Sequence, residues 1–172
     1  MLHRTLIASL LGLALLGCGQ QDPRAKVSAA LADGVLLPAY NSWQEADRQL
    51  AVNAEAFCTG NADVTAARQA FLGAQSAWAG LQPLLVGPLA EGNRAWQIQF
   101  WPDKKNLVQR QVEALLKSKP QLNNDDLAKA SVVVQGLTAY EYMLFDPALD
   151  LTQAEQKARY CPLLQAIGQH QQ

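Results

Sequence analysis

Histidine is nearly missing from this sequence, and its scarcity narrows the chemistry at once. His3 and His170 are the two present, and His3 falls in a leader described below. A zinc hydrolase needs two or three nitrogen or carboxylate ligands and a general base, and no HExxH occurs. Serine or cysteine nucleophiles fare no better, because His170 alone is left to act as base and nothing in its spacing places it. Charge is sparse too, at 17% of residues with a formal net charge of -1. There is no basic cluster and no interleaving of basic with aromatic residues, which excludes nucleic acid as a partner. Runs of strand-like alternation are also absent. What remains is a chain of 172 residues, 49% hydrophobic, long enough for one domain with a sizeable core. It reads as all-α, an up-down bundle of four to five helices with one long irregular apolar loop.

The first segment, MLHRTLIASLLGLALLGC, has a short basic start and an apolar run from Leu6 to Leu16 that is too short to span a bilayer. It ends Leu15-Leu16-Gly17-Cys18 and resembles a bacterial lipoprotein signal, in which the chain is cut before the cysteine and the thiol is acylated. On that reading residues 1–17 are removed, Cys18 carries the lipid, residues 18–25 are a polar tether and residues 26–172 form the bundle. Each buried methylene of an acyl chain contributes roughly 0.8 kcal/mol, so a multiply acylated Cys18 makes the membrane its lasting partner. Residue 19 is Gly rather than Asp, which by resemblance to lipoprotein sorting implies the outer membrane, facing the periplasm. The alternative is an ordinary signal peptide cut elsewhere.

Export governs the remaining cysteines. Cys58 and Cys161 are an even pair in an oxidising compartment, and a disulfide between them is expected, with two free buried thiols as the alternative.

Along the chain, Lys26–Phe57 reads as helix, kinked near Leu37 by Pro38, with Val27, Leu31, Trp43, Ala46, Leu50 and Phe57 on one face. Val64, Ala67, Phe71, Ala74, Trp78, Leu81 and Leu85 keep a heptad seam, the clearest helix present. Periodicity then stops until Lys104. The intervening LVGPLAEGNRAWQIQFWPDKK holds turn residues, yet Trp96, Ile98, Phe100 and Trp101 make it too apolar to hang in water, so it is expected to fold back on the helices. Asp103 is placed to cap the next helix, with Val108, Val112 and Leu115 facing in. Thr152 with Glu155 has capping-box spacing for a last helix, whose inner face reads Ala154, Ala158, Cys161 and Leu164.

Leu127–Phe145, LAKASVVVQGLTAYEYMLF, reads as one buried helix. Leu127, Ala130, Val134, Leu137, Glu141 and Leu144 recur at steps of three and four, and Glu141 alone among them is charged. A carboxylate taken out of water needs a proton, a cation or a metal. Arg94 is the expected partner, since its fork pairs both carboxylate oxygens; Lys104, Lys105, Trp96 and the tyrosines are the other candidates. The metal reading joins Glu141 to oxygen ligands from Glu45, Asp47, Glu91 or Asp103 around ferric iron or another hard cation.

These residues together resemble the imelysin-like family of bacterial envelopes, also filed as imelysin peptidases. The resemblance rests on Cys58 ahead of the Ala67–Trp78 helix, Gly87-Pro88, Arg94 with Phe100-Trp101-Pro102-Asp103-Lys104, Gly136–Glu141, and Tyr160-Cys161-Pro-Leu-Leu-Gln-Ala-Ile. Members are similar to two helical bundles in tandem, and this chain resembles the N-terminal one. The family motif GxHxxE, proposed as a metal site, stands here as Gly136-Leu-Thr138-Ala-Tyr-Glu141. Threonine's neutral hydroxyl is a poor transition-metal ligand, so the change argues against metal binding and peptidase activity together. The resemblance implies a link to iron uptake; with the leader and the missing histidine, the expectation is a non-catalytic envelope lipoprotein with no certain cofactor, iron or another divalent cation being the candidates. Its alternatives are an imelysin-type metallopeptidase and an interaction module completed by a second bundle on another envelope protein.

Overall fold

The computed structural model describes residues 22–172. The leader and Cys18 lie outside the described residues. Among those described there is no strand, and no helix is long and apolar enough to cross a membrane.

The chain divides after Pro38 into two compact units. In the first, α1 (Pro23–Leu31) starts where Asp22 accepts a hydrogen bond from the Arg24 backbone N–H at 3.0 Å. Helix therefore takes up Pro23, Arg24 and Ala25, which had read as the end of the tether. A π-helical turn follows over Ala32–Leu36, just ahead of Pro38. Proline lacks the N–H that would close the preceding turn, and a widened turn is one way a helix absorbs that loss. Val27 and Leu31 are exposed, contrary to the face drawn from their spacing.

The second unit is the bundle. Its α2 (Leu37–Thr59) buries Leu50, Ala54 and Phe57. Asp63 caps α3 (Val64–Leu81) by accepting from the Ala66 N–H at 2.8 Å, and the helix buries Ala67, Phe71, Ala74, Trp78 and Leu81, the heptad seam of the sequence. The connection then runs through short 3-10 turns at Gln82–Leu84 and Gly87–Ala90 into α4 (Arg94–Ile98). Helix α5 (Leu107–Ser118) turns Val108, Val112 and Leu116 inward. Asp103 starts it as expected, accepting from the Leu107 and Val108 N–H groups at 2.8 and 3.3 Å.

The expected single helix over Leu127–Phe145 is three pieces: α6 (Asn124–Ala128), a 3-10 turn at Val132–Val134 and α7 (Leu137–Phe145). Buried Gln135 holds the break together, its amide N–H group donating to the carbonyls of Leu127, Ala128 and Ala130 at 3.2, 3.3 and 2.9 Å. Those carbonyls would be orphaned where α6 ends. Last comes α8 (Ala154–His170), continuous through Pro162. Its start carries no side-chain cap, because the Thr152 hydroxyl donates to Asp150 at 2.6 Å instead of serving a capping box. Tyr160, Cys161, Leu163, Leu164, Ala166 and Ile167 line its inner face, while Ala154 and Ala158 stay exposed. Cys58 and Cys161 form the expected disulfide, with alpha carbons 5.6 Å apart. It joins the end of α2 to the middle of α8.

Candidate functional site

The motif residues Gly136, Thr138 and Glu141 open α7, and each does something its neighbours explain. Gly136 has an extended backbone (φ -134°), so its role is spatial: a Cβ there would stand 2.2 Å from the Ile98 carbonyl oxygen and 2.3 Å from that of Gln97. The loop backbone runs against α7 at the one place without a side chain. Two residues later the Thr138 hydroxyl donates to the Phe100 carbonyl at 3.0 Å. The Gln99 side chain adds a third tie, its oxygen accepting from the buried Trp78 indole at 3.0 Å and from Gln82 at 3.1 Å. Thus the irregular segment does fold back, through Ile98 and half-buried Phe100. Trp96 and Trp101, expected to go with them, remain 50% and 68% exposed.

Glu141 is not buried. Gly136 interrupts the helical phase, so the three-four spacing carried across from Val134 no longer applies. At about 100° per residue, the buried residues Leu137, Ala139, Tyr140, Met143 and Leu144 occupy one side of α7. Glu141 falls on the other, with Thr138, Tyr142 and Phe145. Neither a hydrogen bond nor an ion pair joins Glu141 to Arg94, which is itself exposed. The expected Glu141–Arg94 pair is therefore corrected: an exposed carboxylate is solvated by water and needs no buried partner.

Glu141 instead lines a surface groove of about 280 Å³ with Trp101, Asp103, Thr138, Tyr142, Phe145 and Asp146. Of the four carboxylates set beside it as metal ligands, Asp103 shares this groove, but its oxygens accept the α5 backbone hydrogen bonds. Glu45 is elsewhere, paired with Arg48 at 2.6 Å, and neither Asp47 nor Glu91 reaches the groove. Among the described residues no three His, Cys, Asp or Glu side chains gather closely enough to hold a metal ion.

Beneath the groove lies a network that sequence reading missed. Glu113 of α5 accepts from the Tyr142 hydroxyl of α7 at 3.1 Å and from the Tyr160 hydroxyl of α8 at 2.6 Å, and pairs with Arg159. Burial, then the Glu113 charge, pushes the Tyr142 phenol above its ordinary range; burial and the hydrogen bond to Glu113 do the same to Tyr160. Both phenols are thus fixed as donors. The one available signal was Glu113 following Val112 at the edge of an apolar face.

An all-α bundle with a loop clamped on a Gly-x-Thr-x-x-Glu helix defines the class. The sequence model of the imelysin family matches residues 36–172, and the chain belongs to that family. Among solved structures it is similar to an imelysin-like protein from Psychrobacter arcticum 273-4, with a TM-score of 0.68 and 24% identity. That likeness covers 83% of this chain and 46% of the other, so this chain spans less than half of its neighbour's length. No curated protein matches it.

Proposed function

We propose that this protein is a non-catalytic binding component of the bacterial envelope, anchored in the outer membrane through lipidated Cys18 and serving iron uptake. The observation that carries the non-catalytic part is the Thr138 hydroxyl on the Phe100 carbonyl. At the position where the family motif has histidine, this chain has a side chain that holds the loop. The iron-uptake link follows from family membership and the anchor from the leader.

A second reading gives the groove a protein partner that supplies the second bundle. It is favoured by Trp101 and Phe145, which stay 68% and 40% exposed in the groove that Glu141 lines. Exposed aromatics of this kind are the usual anchors of interfaces.

The test is complementation of a deletion strain grown under iron limitation. Wild type and Glu141→Gln are expected to restore growth, whereas Cys18→Ser and Trp101→Ala are expected to fail. Loss of rescue by Glu141→Gln alongside full rescue by Trp101→Ala would favour a metallopeptidase or metal carrier instead.

A further inference from the structure

Where α8 crosses α2 the backbones come close: a Cβ on Gly168 would stand 2.9 Å from the Ala51 alpha carbon. About one turn from that contact lie Asp47 on α2 and Gln171 just past α8. Asp47 is 1% exposed, and its side chain takes part in no hydrogen bond or ion pair among the described residues. Its Oδ1, the Trp43 indole Nε1 and the Gln171 Oε1 are all buried without a partner. These three residues line one pocket of about 320 Å³, with Tyr40, Asn41, Gln44 and Gln172 making the rest of the wall. Natural proteins leave few such atoms unpaired, and three on residues that line one pocket mark a place where something else supplies the partners.

The chemistry of the missing group can be read from its surroundings. An acid and an amide oxygen ask for N–H donors, and the acid asks for positive charge. Among the described residues no side chain provides it: Arg48, the nearest cation in sequence, has its guanidinium on Glu45 at 2.6 and 2.8 Å, and His170 at the end of α8 is exposed. Burial alone acts on the Asp47 carboxyl, raising it to about 7. The aromatic wall narrows the choice further. Tyr40 and Trp43 meet edge to face at 6.3 Å, and Trp43 continues to Trp78 at 5.5 Å. Aromatic faces attract organic cations and accept their carbon chains, whereas a hard metal ion wants about six oxygens and gains nothing from an indole N–H.

We propose that the Asp47 pocket binds a small primary alkylammonium ion. Its ammonium donates to Asp47 Oδ1 and Gln171 Oε1, its carbon chain lies on Tyr40 and Trp43, and the Trp43 N–H serves a polar substituent or a water carried in with it. The pocket shares no residue with the Trp101–Glu141 groove, so the site does not depend on the function proposed above.

The test follows the Trp43 indole N–H in ¹H–¹⁵N spectra of the purified protein at pH 8, its signal identified by its loss in Trp43→Phe. Titration with n-butylammonium chloride is expected to move that signal saturably and to raise the melting temperature. Asp47→Asn is expected to weaken the response at least tenfold, and Gln171→Ala, which leaves the acid in place, severalfold. If Asp47→Asn does not fold, Gln171→Ala decides. Three outcomes overturn the proposal: no saturable shift, an equal response to tetramethylammonium or calcium chloride at matched ionic strength, or unchanged affinity in both variants.

Discussion

Asp47 carries a carboxyl buried in the bundle with no side-chain partner among the described residues. Its carboxyl is raised from 3.8 to about 7 by burial, so the folded protein keeps a proton that the unfolded chain releases near pH 4. Between those values the native state binds more protons, and stability must fall as pH rises from about 4 to 7 and then level off. One pKa unit corresponds to about 1.4 kcal/mol, so the fall is on the order of a few kcal/mol. In amine-free buffer, chemical denaturation across that window is expected to show this decline in wild type and its disappearance in Asp47→Asn. Parallel pH profiles in the two proteins would assign the charge to solvent. Sequence spacing could have shown its burial, since Asp47 stands four residues after Trp43 and three before Leu50 on the face read as inward, but exposed Glu45 and Arg48 beside it disguise that face. Its burial depends on how closely Gly168 lets α8 approach, a contact 121 residues away in the chain.

Among the elements, α3 was legible because its seam is uninterrupted and a helix that buries one stripe keeps one phase. Asp103 was legible for an equally local reason, its place just ahead of an apolar face, and the Cys58–Cys161 pair because they are the two cysteines left once Cys18 is set aside. The Leu127–Phe145 segment was not, since Gln135 and Gly136 reset the phase through contacts with α6 and the 97–98 backbone that no spacing contains. Glu141 moved from seam to surface as a result. The clamp that produces this break can be tested directly. Thr138→Val keeps the shape and removes the hydrogen bond to Phe100, with an expected cost of about 1 kcal/mol. Gly136→Ala pushes a methyl group into the Gln97 and Ile98 carbonyls and is expected to cost about 3 kcal/mol or more. Thermal unfolding that leaves Gly136→Ala as stable as wild type would mean that the loop does not pack on α7.

At the scale of the whole molecule, the bundle is an imelysin domain in which Gly136 and Thr138 fasten α7 to the loop backbone at residues 97–100. Fold class could be read from the lack of strand patterning and the strength of one heptad; the groove, the Glu113 network and the Asp47 pocket could not, because each joins helices far apart in sequence. The most direct measurement is a calorimetric titration of the purified protein with ferric citrate and with zinc, run on wild type and Glu141→Gln with melting temperatures recorded alongside. The expected result is that Glu141→Gln leaves both the heats and the melting temperatures as they are in wild type, because Glu141 is exposed and, on the function proposed above, belongs to no metal site. An iron-dependent stabilisation of wild type that Glu141→Gln abolishes would contradict it and return the motif to metal binding.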